Sequence, residues 1–284
     1  FGDLAVAFGF RGDSGAANST RAMAAGGNAP ITNTIDICTI ATTGSAIDFG
    51  DRTTVGYYPC GTANATRALW AGGLVSHPTT TNIIDFVEIS TTGTAVDFGD
   101  LDVAKWGAGG CSNHTTGIFW GGQTPSTKQD RIDTVTMASK GDTTDFGNLS
   151  VTREAPAATS NLTRGVCGGG DTTPDNSGGT GTPQNVIDYI TIASSGDAAD
   201  FGDLSAARKQ FGATSDGHGG LDAFDPVARF SYSIAGSGRG FHTGGYTDAV
   251  IATIETIQIS TLGNGNDFGD LVTAKLAGSG SASL

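Results

Sequence analysis

The chain is short of positive charge. Fifteen Lys and Arg residues stand against 28 Asp and Glu, for a formal net charge of −13. Nucleic-acid binders neutralise phosphates with basic patches, so this balance argues against a nucleic-acid partner. Cysteine is scarce too: Cys38, Cys60, Cys111 and Cys167 are widely spaced and form no Cys-x-x-Cys pair. That spacing argues against a zinc site, and the four are read as free, partly buried thiols, which leaves the redox compartment open. No apolar run approaches the roughly 20 residues of a membrane-spanning helix. There is neither a signal-peptide pattern nor an initiator Met, and a start on Phe1 reads as processing or trimming. Helical periodicity is missing throughout, and the abundance of Gly and Thr opposes helix.

What the chain has in quantity is repetition. Phe1-Gly-Asp-Leu4 opens it, and the phrase returns at Phe49, Phe98, Phe146, Phe201 and Phe268, at spacings of 48, 49, 48, 55 and 67 residues. A catalytic motif is needed once, so six copies point to architecture. Such a period suits a four-stranded propeller blade and is too long for a leucine-rich or ankyrin unit.

Each period carries four landmarks. After the phrase comes a stretch led by Ala, Arg or Lys, such as Ala104-Lys-Trp-Gly-Ala108. Next is an apolar run ending in paired glycines, as in Arg67-Ala-Leu-Trp-Ala-Gly-Gly73. The third alternates by two, as in Ile83-Ile-Asp-Phe-Val-Glu-Ile89, and the fourth is the Asp-Phe-Gly-Asp phrase itself. Alternation rich in Ile, Val and Thr means strand, and Gly44, Gly93, Gly141, Gly196 and Gly263 between the third and fourth landmarks suit short hairpin loops. The expectation is an all-β fold: one domain over residues 1–284, a β-propeller of four-stranded antiparallel blades. Five blades is the direct count, and a sixth, incomplete blade built from the two chain ends is the alternative. Phe49, Phe98, Phe146, Phe201 and Phe268 are expected in the core, each packing against the next blade.

The strand ending in Gly-Gly, the alternating strand and the aromatic in the fourth strand resemble the kelch repeat of galactose-oxidase-like propellers. Phe-Gly-Asp stands where kelch usually has Trp. The Thr/Ser/Gly/Asn composition, with IDYITIASSGDAADFGDL at 187–204, is similar to kelch-like virion proteins of marine tailed phages, notably those infecting cyanobacteria. The resemblance implies a non-enzymatic structural or binding module of a virion, in a tail, fibre or capsid-associated appendage. Localisation would be virion or extracellular, an oligomer is expected, and partners would be virion subunits or a host-surface glycan or protein. A bacterial surface or secreted adhesin is the alternative, and a carbohydrate-active or oxidase enzyme the third reading.

Other motifs weigh less. The kinase reading of Asp-Phe-Gly lacks its glycine-rich loop, strand lysine and catalytic HRD. Arg11-Gly12-Asp13 reads as a strand-end turn, and the in-phase Asn18, Asn64, Asn113 and Asn161, each two before Ser or Thr, read as turn residues rather than glycosylation acceptors. His77, His114, His218 and His242 are scattered, so no copper site, no catalytic residue and no cofactor are expected.

Two acidic columns, Asp48/Asp97/Asp145/Asp200/Asp267 and Asp36/Asp85/Asp133/Asp188/Glu255, and an Arg column, Arg21/Arg67/Arg164/Arg239, are read as a structural Arg–carboxylate or carboxylate–backbone-amide bond in every blade. Calcium is the sharper reading of such carboxylates, with Asp171 and Asp175 as candidates. Two insertions, Asp171–Pro183 and Gly217–Pro226, are expected to be surface loops. They make Asp171, Asp175, His218 and Phe224 the binding-loop candidates.

Overall fold

The computed structural model describes residues 2–5, 14–172, 181–215 and 238–275. Among them there is no helix. Five four-stranded antiparallel sheets follow one another as the blades of a propeller ring. Blade one is β1 (Gly15–Ala17), β2 (Arg21–Gly27), β3 (Thr32–Thr39) and β4 (Ile47–Asp51). Blade two is β5 (Cys60–Ala63), β6 (Arg67–Ala71), β9 (Ile83–Glu88) and β10 (Val96–Asp100), interrupted by a small hairpin, β7 (Leu74–Ser76) and β8 (Thr79–Thr80). Blade three is β11 (Gly109–Ser112), β12 (Thr116–Trp120), β13 (Arg131–Thr136) and β14 (Thr144–Asn148). Blade four is β15 (Ala157–Ser160), β16 (Arg164–Gly168), β17 (Gln184–Thr191) and β18 (Ala199–Arg208). Blade five is β19 (Gly212–Ser215), β20 (Arg239–Thr243), β21 (Thr253–Gln258) and β22 (Asn266–Asp270).

The first strands lie innermost. β1, β5, β11, β15 and β19 neighbour one another in that order and surround a central space of only about 30 Å³. The core lies between blades. On β9 and the residue after it, Val87 and Ile89 pack with blade one while Ile84 and Phe86 pack with blade three, the period-two division of a strand buried on both faces. Four such clusters join blades one to two, two to three, three to four and four to five.

The repeated phrase is a β-bulge. Pairing of β9 with β10 jumps from Asp97 to Gly99, which leaves Phe98 as the extra residue. The Asp97 carboxylate accepts the Gly99 amide, and Gly99 takes φ +152°. A Cβ there would collide with the Gly141 carbonyl of the next blade, so glycine is required. The bulge turns Phe98 into the next blade, while its carbonyl accepts the Gly141 amide and the Asp100 carbonyl accepts the Thr143 amide. The same geometry recurs at Phe49, Phe146 and Phe201, all buried.

Phe268 departs from this pattern. It is 58 % exposed, against 2–4 % for the other four, and meets Phe241 of its own blade edge-on at 5.2 Å. The expectation that it sits in an inter-blade core is corrected. The reason lies on blade one, where residues 2–4 already hold the seat of an incoming outer strand. The Ala46 amide bonds the Asp3 carbonyl as Ala95 bonds Asp51, and the Gly2 amide bonds Gly44. Nothing comparable to the inner-strand packing joins β19 back to β1 among the described residues.

Candidate functional site at one mouth of the ring

The repeated polar residues are consumed by the scaffold. Four buried basic side chains reach forward to the next blade's acidic column. Arg52 Nε meets Asp85 at 2.9 Å, Lys105 Nζ meets Asp133 at 2.7 Å, Arg153 meets Asp188, and Arg208 Nη2 meets Glu255 at 2.9 Å. Burying either charge alone would be costly, so the pairs are kept together. The other acidic column caps the bulge amides, as Asp48 does for Gly50 and Asp145 for Gly147. The Arg column bonds carbonyls rather than those carboxylates: Arg67 Nη1 donates to Met137 O at 2.9 Å and Arg164 Nη1 to Ile259 O at 3.2 Å, each on the following blade. The sequence marks the acids by their fixed phase, but not their buried partners, which sit at differing distances from the repeated Phe.

At the mouth formed by the turns between first and second strands, repetition continues. Asn64 Oδ1 accepts the Thr66 and Arg67 amides, while its Nδ2 donates to His114 O of the next blade at 3.0 Å. Asn18 and Asn113 do the same. Serine hydroxyls link the inner strands there: Ser215 donates to Ser160 O, Ser160 to Ser112 O and Ser112 to Ala63 O. These turns use the Asn side chains at both ends.

The opposite mouth keeps a repeated backbone under side chains that all differ. At β5, β11, β15 and β19 the residue leading into the inner strand forms a two-way bridge with the residue after the paired glycines: Tyr57 with Leu74, Trp106 with Gln123, Glu154 with Asp171, Lys209 with Tyr246. One step further in, Tyr58, Gly107, Ala155 and Gln210 are left-handed, with φ of 58°, 62°, 50° and 53°. Their amides and carbonyls chain around the mouth, Gly107 to Tyr58, Ala155 to Gly107 and Gln210 to Ala155. Three of these four are not glycine. Such strain costs of order 1–3 kcal/mol per residue and is held only where the surroundings dictate it.

Charges and rings gather on this frame. Lys128 Nζ lies 3.2 Å from both Glu154 and Asp171, and Lys209 Nζ lies 2.5 Å from Asp171. Burial pushes the Glu154 carboxyl up, and Lys128 pulls it back. Burial, then Glu154, push the Tyr58 phenol well above its usual range. Tyr58 stacks at a tilt between Tyr57 and Trp106, each 5.5 Å away. Tyr58, Trp106 and Tyr246 remain partly open to solvent.

Asp171, the candidate shared by the calcium and binding-loop readings, is thus a buried carboxylate between two lysines at the base of the first insertion. Asp175, His218, Phe224 and the Arg11-Gly12-Asp13 tripeptide lie outside the described residues. Among the described residues no three His, Cys, Asp or Glu side chains are grouped to hold a metal ion. His242 is fully buried beside Phe211, and that burial holds its imidazole down to about 3. The four cysteines form no disulfide with one another. No helix is long and apolar enough to cross a membrane among the described residues.

The varied mouth leaves a weak signal in the sequence. It is the residue after the buried base at Trp106, Glu154 and Lys209, with Tyr57 five residues past Arg52, and the residue after each Gly-Gly, two columns that never repeat. Compared with protein families and curated proteins, the chain matches no family model and no curated protein at a significant level.

Proposed function

We propose that this chain is a non-enzymatic binding module, a kelch-like propeller serving as a structural part of a phage virion in a tail, fibre or capsid-associated appendage. In this reading the ring is a stiff support, and the varied mouth meets a host-surface glycan, an envelope protein or a neighbouring virion subunit. The observation that carries it is the contrast between the two mouths. One repeats Asn and Ser in bonds internal to the fold, and the other sets Tyr57, Trp106, Glu154 and Lys209 on one repeated backbone bridge. Varied side chains on a rigid frame are the arrangement of recognition surfaces. Aromatic faces beside hydrogen-bonding groups suit sugars and protein surfaces, and net acidity disfavours an anionic partner. The first insertion leaves from this same mouth, between β16 and β17.

Antibody labelling of the particles and cells that carry the chain tests the context. Decoration of a tail, fibre or capsid supports the virion reading. Decoration of a bacterial surface with bare particles replaces it with the adhesin reading. Turnover of a sugar or alcohol by the purified chain would overturn both.

A further inference from the structure

Two stretches of the chain already stand in the positions of a further blade. Residues 2–4 lie on blade one as an outer strand does on the blade that follows it: Ala46 N donates to Asp3 O at 2.8 Å, matching Ala95 to Asp51, Thr143 to Asp100, Ala198 to Asn148 and Gly265 to Asp203. At the other side, Lys275 lies on blade five as the first residue of a following blade. Gly245 N donates to Lys275 O at 2.8 Å, matching Gly73 to Lys105, Gly122 to Arg153 and Gly170 to Arg208. What separates an outer strand from an inner strand within a blade is its two middle strands.

The side chains of this lip are prepared in the same way. Lys105, Arg153 and Arg208 are buried against an acid on the third strand of the blade they enter. Lys275 is exposed and meets no carboxylate among the described residues. Phe201 is covered by Ile257 and Ile259 of the next blade, whereas Phe268 is 58 % exposed. Leu271 is only partly buried, where Leu101, Leu149 and Leu204 are buried.

We propose that the lip of blade five, from Phe268 to Lys275, docks a two-stranded β-hairpin presented by a partner protein. Its second strand carries a carboxylate followed at two and four residues by aliphatic side chains. The established interfaces state this chemistry: Asp85-x-Val87-x-Ile89, Asp133-x-Val135-x-Met137, Asp188-x-Ile190-x-Ile192 and Glu255-x-Ile257-x-Ile259 each cover the Phe of the blade before them. The carboxylate pairs with Lys275 and the aliphatic pair covers Phe268, as in those four interfaces. This inference is independent of what the varied mouth binds.

The probe is a labelled peptide of residues 116–137, which holds the β12–β13 hairpin with Asp133, Val135 and Met137. Saturable one-to-one binding to the intact chain is expected. Lys275→Glu or Phe268→Ala should weaken it at least about tenfold, equivalent to about 1.4 kcal/mol of binding free energy. Both positions are exposed, so melting temperatures should stay unchanged. A peptide carrying Asp133→Lys should bind the Lys275→Glu chain better than the native one. As a second measurement, the same hairpin joined after Leu284 by a glycine-serine linker should raise the melting temperature, and Lys275→Glu should cancel the rise. Absence of saturable binding together with no rise overturns the proposal, as does binding indifferent to both substitutions.

Discussion

At the scale of the residue, position in the repeat decides what a side chain is worth. Phe98→Ala should destabilise by about 3–5 kcal/mol, the cost of emptying an aromatic core site, while the same change at the exposed Phe268 should stay within about 0.5 kcal/mol. Equal losses in urea unfolding would mean that Phe268 is covered in solution. The buried pairs give a second contrast. Arg153→Met strands the Asp188 carboxylate and should cost about 3–5 kcal/mol, whereas adding Asp188→Leu should recover much of it. His242 supplies a pH dependence. Its folded value near 3 lies below the ordinary 6.5, so the unfolded chain binds more protons between those values. Stability from keeping it neutral is therefore whole above about pH 6.5 and falls as pH drops toward 3, by up to about 1.4 kcal/mol per unit. His242→Phe should flatten that part of the profile, and an unchanged slope would show that other groups set it. The Phe column was legible because Phe recurs at a fixed phase. The basic column was not, because Arg52 stands three residues after its Phe while Lys105, Arg153 and Arg208 stand seven after theirs.

At the scale of the element, the phrase Asp-Phe-Gly-Asp is one device: a capped bulge that throws Phe sideways and lets the next blade's hairpin approach. Gly99 and Gly141 separate its two demands. Both hold positive φ, of 152° and 159°, but a Cβ at Gly99 meets the Gly141 carbonyl while one at Gly141 meets nothing within 4 Å. Gly99→Ala should therefore suffer from conformation and collision together, beyond the about 1–3 kcal/mol of strained backbone alone, and Gly141→Ala from conformation only. Thermal unfolding that ranks them the other way would mean that the bulge does not set the approach of the next blade. Strand order was readable because period-two runs and Gly-Gly pairs mark each strand. The hairpin β7–β8 was not, since it lies within a stretch of seven residues, Leu74–Thr80, with no alternation long enough to see.

At the scale of the whole molecule, repetition spreads one interface around an axis and leaves function to what differs between blades. Five blades were countable in the sequence because the landmarks are. The varied mouth was harder to see, because its residues touch only once the ring brings Tyr57, Trp106, Glu154 and Lys209 to neighbouring places. Insertions attract the eye by length, yet Asp171 shows that the base of one belongs to a buried ion cluster. Its loop should be shortened at residues 173–180 with Asp171 kept.

The most direct test measures retention of the purified chain on host cells and on virion subunits for two sets of variants matched in stability. One set alters the varied mouth, with Trp106→Ala, Tyr246→Ala and replacement of residues 173–180 by a short turn. The other alters exposed repeat positions at the opposite mouth, with Thr92→Ala, Ser139→Ala and Ser195→Ala. If the varied mouth is the binding face, the first set should be retained at least about tenfold more weakly and the second as the native chain is, about 1.4 kcal/mol or more of binding lost at one face only. Native retention by the first set, or a loss confined to the second, would place binding elsewhere on the ring and contradict the proposed role of the varied mouth.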